Sequence, residues 1–535
     1  MAGKTRKFWG WGVVEDDLTP EDVHGLIERL QARHGIKGLT HQPPPRIEDI
    51  ALRPPRLKPP SALASLCSQE PLERAGHTYG KAFKDVVRAY ARDFGPAPDW
   101  VAYPRTESDV LALLDWCSGN NIAAIPYGGG SSVVQGTEPP GGGKYKAAVS
   151  LDMKYLNRVL EVDRTSRAAH LEAGLYGPDL EAGLRPHGLT LRHYPQSFEF
   201  STLGGWIATR GGGHYATLYT HIDDFVESLR LITPKGAVES FRLPGSGAGP
   251  SPDRMFIGSE GILGIITSAW MRLQERPRFR ANASVVFPTF LKAAEAVRQI
   301  SQANLYPANV RILDPNEALN NGVADGTVAM MVLGFESHDH ALDTWMVRAL
   351  EICRDHGGSV PKDAGRTTQD TDVTRKGAAG VWRDAFIRMP YFRDAMVGMG
   401  MVSETFETAI TWDRFPSFHE QIMATTGKIV KEVCGGGTVS CRFTHAYPDG
   451  PAPYYSIQAP GKKGSQLRQM EEIKAAVSEA LIRLGGTITH HHAVGRYHRP
   501  WYDKQRPELF AQALRAAKKA LDPAGILNPG VLIDP

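Results

Sequence analysis

Apolar residues along the chain change their spacing several times, and each change marks a structural element. In TPEDVHGLIERLQARHG, from Thr19, they recur at helical spacing behind a capping threonine, which predicts one helix. The proline cluster HQPPPRIEDIALRPPRLKPP at 41–60 breaks that period and predicts an extended connector. From about Asp99, WVAYP reads as a strand and TESDVLALLDWCSGNN as an amphipathic helix capped at Thr106. IAAIPY is then a strand running into PYGGGSSVVQG, residues 126–136. AAVSLDM (147–153), RVLEVD (158–163) and AAHLEAGL (168–175) predict three short strands, and PDLEAGLRPHG a helix closed by Gly188. STLGGWIATRGGG (201–213) holds too many glycines for a regular element and too many apolar residues for a disordered linker. It is expected to be a loop packed closely against something. A strand pair in ESLRLITPKGAVES turns at Pro234 to Gly236, and FIGSEGILGIITSAWMRLQ adds a glycine turn at Gly258 to Gly264 before another strand. From about Pro277 to Leu484 the composition becomes more helical and methionine-rich, which suggests a second domain.

The expected organisation is an N-terminal helical extension and proline-rich connector over 1–95, with no chemistry of its own. A first domain covers 96–276, a second covers 277–484, and the C-terminal segment 485–535 returns to the first. A chain of 535 residues with 42% hydrophobic content can bury a core of that extent. No run approaches the roughly 18 consecutive apolar residues of a membrane-spanning helix. The start MAGKTRKFWGWG lacks the apolar stretch of a signal peptide, so an intracellular protein is expected. The five cysteines Cys67, Cys117, Cys353, Cys434 and Cys441 form no CxxC pair, which argues against a disulfide framework or a structural zinc site. A net charge of +3 and the lack of a basic tract with interleaved aromatics argue against nucleic acid and leave a small ligand as the expected partner.

The chemistry concentrates in four glycine-rich turns at strand ends, 126–136, 196–206, 209–213 and 258–264. Successive glycine turns expose backbone N–H groups that make anion-binding concavities, and missing side chains let the main chain approach a pyrophosphate. Four together suggest one extended cofactor. They do not form the GxGxxG fingerprint of a Rossmann dehydrogenase, because Gly128 to Gly130 lead into SSVV, which is poor helix material.

PYGGGSS, FEFSTLGGW, GSEGILGIIT and the closing LDPAGILNPG, in that order from about residue 99 to the end, resemble the vanillyl-alcohol-oxidase type of FAD-binding flavoprotein. FWGWG, FEFSTLGGWIATR, SETFETAITWDR, CRFTHAY and HHHAVG are further similar to the alkyldihydroxyacetonephosphate synthase family of ether-lipid synthesis. The resemblance implies an α+β fold, with an FAD-binding domain of two subdomains over 96–276 and an α+β cap domain over 277–484. It also implies that Pro126, Tyr127, Gly128, Gly129, Gly130, Ser131 and Ser132 bind the FAD pyrophosphate. Gln196, Ser197, Ser201, Thr202, Thr209, Arg210, Gly211, Gly212, Glu260, Gly261, Ile262, Leu263, Gly264, Ile265 and Ile266 would complete the cofactor site. The 126–136 loop holds no histidine or cysteine, so the flavin is expected to be non-covalent there, although a distant residue could still form such a bond.

Three constellations lie outside those loops. His490, His491 and His492 follow GGTIT, read as a strand. Successive side chains on a strand alternate sides, so no metal site is expected, and either a polar turn or a catalytic role remains. The resemblance places the triplet at the active site. In CRFTHAYPDGPAPYYS (441–456) the resemblance puts Arg442 on a substrate-binding arginine and Tyr454 on a catalytic tyrosine. Tyr455 is the alternative if the alignment slips by one, and an ordinary core tyrosine is the structural one. Arg311, amid apolar ANVRILD, needs an anionic partner. That partner is either Asp314 or, as the resemblance implies, an anionic substrate or reduced flavin.

Three positions depart from the synthase family: Gln196 and Tyr194 stand where it carries acidic residues, and Ala452 where it carries a small thiol. These bear on the substrate and its proton handling rather than on the fold; Gln196 therefore counts as substrate-binding as well. The leading reading is exchange of the acyl group of an acyl-dihydroxyacetone phosphate for a fatty alcohol, with no net redox change. The alternative is FAD-dependent oxidation of a hydroxy acid or an aromatic alcohol. A non-catalytic flavoprotein scaffold is the third, against which Arg311, Arg442, Tyr454 and the three histidines count. VLIDP carries no peroxisomal address, so a cytoplasmic setting is expected, with a membrane-surface contact and a homodimer left open.

Overall fold

The strand, helix, strand unit that opens at residue 100 delivers the first glycine loop. In the computed structural model, which describes residues 4–141, 143–219, 221–360, 365–369 and 377–534 (backbone only for 377–386), it belongs to a four-stranded sheet. The spatial order is Cys67–Ser68, Trp100–Ala102, Ala147–Asp152, Ile122–Tyr127. The last three strands are parallel, which requires a crossover, and helix Glu107–Asn120 supplies it. Thr106 caps that helix in a reciprocal capping box with Asp109, and Asn121 ends it in the left-handed conformation at φ 53°. Its buried face, Val110, Leu113, Leu114 and Cys117, packs on Ile122, Ala124, Val149 and Leu151. Each fully buried aliphatic side chain there contributes about 2 kcal/mol. Residues 526–528 lie along the same sheet: Ala124 N–H donates to Ile526 O and Asn528 N–H to Ala124 O, both at 2.9 Å.

A second, five-stranded antiparallel sheet has the order Val159–Asp163, Ala168–Glu172, Ile265–Arg272, Val226–Thr233, Gly236–Glu239. The 258–264 turn leads directly into its central strand. One expectation fails here. Residues Leu203–Thr209, read as irregular for their glycines, form an α-helix capped by Thr202. Tertiary packing overrides propensity: Leu203, Trp206 and Ile207 are buried, and the Leu203 and Gly204 amides donate to Leu175 O and Ala173 O at 3.0 and 2.8 Å.

Residues from Phe279 build a six-stranded antiparallel sheet in the order Phe279–Phe287, Ala329–Ser337, Asn309–Leu313, Thr438–Ala446, Pro451–Ala459, Val402–Glu407. The helical composition of this region reflects helices Phe290–Gln302, Asp343–Asp355, Phe415–Cys434 and Gln466–Arg483, whose apolar faces share the sheet's core. The strands obey the two-residue alternation of a pleated sheet. Val310, Ile312, Cys441, Phe443 and Tyr455 belong to that core. Their neighbours Arg311, Arg442, Thr444 and Tyr454 line a cavity instead. No helix among the described residues is long and apolar enough to cross a membrane.

Candidate functional site

The cavity, with about 270 Å³ open to the centres of water molecules, is walled by the loops of both small sheets and by the polar face of the six-stranded sheet. Every residue from Pro126 to Ser132 lines it, together with Gln196, Ser197, Ser201, Thr202, Thr209, Gly211, Gly212, Glu260, Gly261, Gly264, Ile265 and Ile266. Tyr194 lines it as well, whereas Ala452, buried on the strand of Tyr454, does not. Three of the expected cofactor residues do not line the wall. Arg210 caps a helix at φ 53° and pairs with Asp223 at 2.8 Å, and Ile262 and Leu263 are buried in the core of the five-stranded sheet. A loop crossing a wall shows only part of itself, and no local pattern marks which part.

The wall fits FAD. At Gly129 an added Cβ would lie 1.9 Å from the Phe200 carbonyl oxygen and 2.7 Å from Ser201 Cα, so the two loops touch backbone to backbone. Such contact bares amides and hydroxyls to a diphosphate, and the apolar Met153, Ala173, Ile265 and Ile266 offer a surface for flat rings. Glu260 serves these loops indirectly. Its carboxylate accepts from the amides of Val494 and Gly495 at 2.9 and 2.8 Å, and burial raises it to about 7.

Opposite stand Arg311, Arg442, Thr444, His445, Tyr454, His491 and His492. Buried Arg442 pairs with buried Glu317, and its guanidinium carbon lies 4.0 Å from the Tyr454 ring centroid. The Tyr454 hydroxyl donates to Thr405 Oγ1 at 3.0 Å. Burial raises this phenol above its ordinary value while Arg442 pulls it down, so Tyr454 is a protonated donor at neutral pH. Arg311 is pushed down to about 9 by burial and then by the charge of Arg442; its Nε donates to Asn309 Oδ1 at 3.1 Å. Asp314 is not its partner, being occupied with the amides of Glu317 and Cys441 at 2.7 Å each. Tyr455 lies off the cavity. Its hydroxyl hydrogen-bonds with His419 Nδ1 at 3.1 Å and its ring stacks on Phe406 in the core, because one step along a strand reverses the side.

The expected strand before the histidines does not form, and the alternation argument against a metal therefore lapses. One ring nitrogen each of His445, His490 and His491 lies within 4.8 Å of the others. His490 stands behind the cavity, with Nε2 at 3.0 Å from Tyr447 Oη and 3.1 Å from His221 Nε2. His445 Nε2 donates to the Gly213 carbonyl at 2.9 Å, which fixes its tautomer. Sequence reasoning missed the group that organises the triplet: buried Glu407, whose carboxylate accepts from the amides of His490, His491 and His492 at 2.7, 3.3 and 3.1 Å. Burial opposes its charge, but His491 and then His492 hold it well below the usual carboxylate range. The stretch SETFETAITWDR contained it with no local signal of that role.

Burial also sets a pH dependence. It depresses His193, His492 and His498 to about 3 and His419 to about 4, and holds His445 and His490 well below 6.5. The unfolded chain takes up these protons near pH 6.5 while the folded chain cannot, so stability is full above that pH and falls as pH drops below it. Each such imidazole costs about 2 kcal/mol at pH 5. Asp85, Glu260 and Asp314, raised by burial to about 7, act in the opposite sense and offset part of this. The expected result is a Tm at pH 5 at least about 5 °C below that at pH 7. Equal melting points would show that the imidazoles do not outweigh these three acids.

Residues 98–242 match the family described as FAD binding domain, and residues 276–532 that described as FAD linked oxidases, C-terminal domain. Over 516 residues the chain is 30% identical to an alkyldihydroxyacetonephosphate synthase of Dictyostelium discoideum, covering 92% of this chain and 84% of that one. It is 27% identical over 516 residues to another from Trypanosoma brucei brucei, covering 90% and 82%. A solved structure of an alkyldihydroxyacetonephosphate synthase, 26% identical, superposes with a TM-score of 0.80 over 98% of each chain.

Proposed function

The chain belongs to the alkyldihydroxyacetonephosphate synthase family of FAD-dependent enzymes, and from that premise we propose that it exchanges the acyl group of an acyl-dihydroxyacetone phosphate for a fatty alcohol, a step of ether-lipid synthesis. The observation that carries the reading is the pair of buried arginines, Arg311 and Arg442, on the cavity wall facing the glycine loops. Two guanidiniums on one wall, that of Arg442 held by Glu317, offer hydrogen-bond donors to an anion, and a phosphate-bearing ketone supplies one. In the exchange the bond between the substrate's terminal carbon and its acyl oxygen breaks, and fatty acid leaves as carboxylate. The alcohol oxygen bonds to the same carbon and gives up its proton. FAD, when bound, supplies a ring able to take up and return an electron pair.

The chain's own residues hold and move the rest. The Glu317 carboxylate fixes the Arg442 guanidinium against Tyr454, whose hydroxyl passes a proton to or from the reacting carbon or oxygen. His491, its ring centroid 6.1 Å from that of Tyr454 and its amide held by Glu407, is the next proton carrier, and neutral His492, at 5.5 Å, is a positioning residue on the same wall. FAD is bound without a covalent bond in this reading, supported by a 126–136 loop lacking histidine and cysteine, so acid precipitation should leave the yellow colour in the supernatant. Colour retained in the pellet would refute non-covalent binding. A lipid substrate is drawn from a bilayer, so a peripheral membrane contact belongs to the same reading.

The match of residues 276–532 to FAD linked oxidases favours a second reading, oxidation of a hydroxy acid or aromatic alcohol. One assay separates them. Under anaerobic conditions with acyl-dihydroxyacetone phosphate and labelled fatty alcohol, exchange puts label into an ether product and releases fatty acid without any acceptor. No such product, with bleaching of the flavin by a hydroxy acid or benzylic alcohol, would establish oxidation instead.

A further inference from the structure

Residues 5–14, in the stretch expected to carry no chemistry, form a tight antiparallel turn. Lys7 N–H donates to Gly12 O at 3.0 Å and Val14 N–H to Thr5 O at 2.9 Å, and Arg6 bridges Val13. The turn is wedged between the helix Gly377–Gly398 and the cofactor loops. On the helix side, Trp11 N–H donates to the buried Asp394 carboxylate at 2.6 Å. Gly12 stands at φ +78°, where an added Cβ would lie 2.1 Å from the Tyr391 hydroxyl oxygen, so this approach excludes a side chain. The buried Lys7 ammonium pairs with Asp17 at 2.6 Å and lies 4.8 Å from the Tyr391 ring centroid.

On the cofactor side, Arg6 Nη2 donates to the Gly129 carbonyl at 2.8 Å. The Arg6 guanidinium carbon lies 4.9 Å from the Phe200 ring centroid, and Trp11 meets that same ring edge-on at 5.6 Å while lining the cavity. A trans peptide is planar, so the Gly129 carbonyl and the Gly130 N–H point in opposite directions. Holding that carbonyl toward Arg6 therefore turns the Gly130 amide away from it. Arg6 is also a cation close to the loop: burial raises the hydroxyl of cavity-lining Tyr127, and Arg6 is the first influence that opposes the rise.

We propose that residues 5–14 are a strap that retains the flavin, with Trp11 as a wall residue against the dinucleotide and Arg6 as the positioning residue that keeps the Gly130 amide aimed at its diphosphate. The inference rests on the FAD site alone and not on the exchange reaction. Its test reads cofactor binding without turnover, so failure of the exchange reading would leave it standing.

FAD is stripped from the full chain and titrated back while tryptophan emission and flavin absorbance are followed. Arg6→Ala should weaken FAD binding about tenfold or more and speed its release, as loss of a charge-assisted hydrogen bond does. Lys4→Ala, which removes only an exposed pair with Asp16, should bind as the parent protein does. Trp11→Phe should lose a distinct part of the emission quenched on FAD binding, with Trp206, also on the cavity wall, and the other tryptophans giving the remainder. Arg6→Ala binding FAD within twofold of Lys4→Ala would overturn the positioning role. Unchanged quenching in Trp11→Phe would overturn the wall role, and that measurement decides alone should Arg6→Ala fail to fold.

Discussion

Gly129→Ala yields a folded protein without colour. The added Cβ would lie 1.9 Å from the Phe200 carbonyl oxygen, 2.6 Å from its carbon and 2.7 Å from Ser201 Cα. All three are backbone atoms, so no rotamer change relieves the contact, and the two loops must part by about 1 Å or more to reach ordinary van der Waals separation. The parted loops would no longer present their amides together to a diphosphate. FAD affinity should fall by roughly 100-fold or more, a loss of about 2.7 kcal/mol. The buried clusters beneath both small sheets do not include Gly129, so the fold should survive. Flavin absorbance per mole of purified protein, beside far-ultraviolet circular dichroism, is the measurement. A fully yellow variant would remove the cofactor from these loops.

Tyr454→Phe should keep FAD and lose roughly 100-fold or more in kcat, the usual scale for removing a positioned proton-transfer group. The phenylalanine retains the ring that Arg442 covers at 4.0 Å, so the change isolates the hydroxyl. The lost bond to Thr405 Oγ1 costs about 1 kcal/mol of stability, too little to explain such a fall. Tyr455→Phe is the matched control. It makes the same chemical change one residue along, on the core face, where the hydroxyl meets His419 and Cys441 rather than the cavity. Turnover there should be nearly unchanged. If Tyr454→Phe stays active and Tyr455→Phe does not, the sheet faces have been assigned the wrong way round.

Much of the first domain was legible because its determinants are local. Thr106 with Asp109 and the apolar positions of 110–117 specify a capped helix, and a helix between two buried strands makes the parallel crossover. The glycine turns were legible as a cavity wall from their composition, whereas the close backbone approach of Gly129 to Phe200 needed the folded structure. The helix Leu203–Thr209 was not legible, since its stability comes from burying Leu203, Trp206 and Ile207 and not from the propensity of its glycines. Composition likewise suggested helices over 277–484 but could not reveal the six-stranded sheet they cover, because both faces of that sheet are largely buried.

By itself, then, the sequence determined the α+β architecture, through short motifs that resemble a known family, and the glycine loops and residue types that line the cavity. Tertiary structure alone decided which members of those stretches act together. The pleat sends Tyr454 to the cavity and Tyr455 to the core, a choice that strand register makes and composition does not. Glu407 meets the amides of His490, His491 and His492 only because strand Val402–Glu407 lies beside a segment more than 80 residues later. Trp11 and Arg6 reach the flavin loops from the far end of the chain because Asp394 and Tyr391 hold their turn in place. Hydrogen bonds and close packing act over a few ångströms, so separation along the chain hides such partners until folding brings them together.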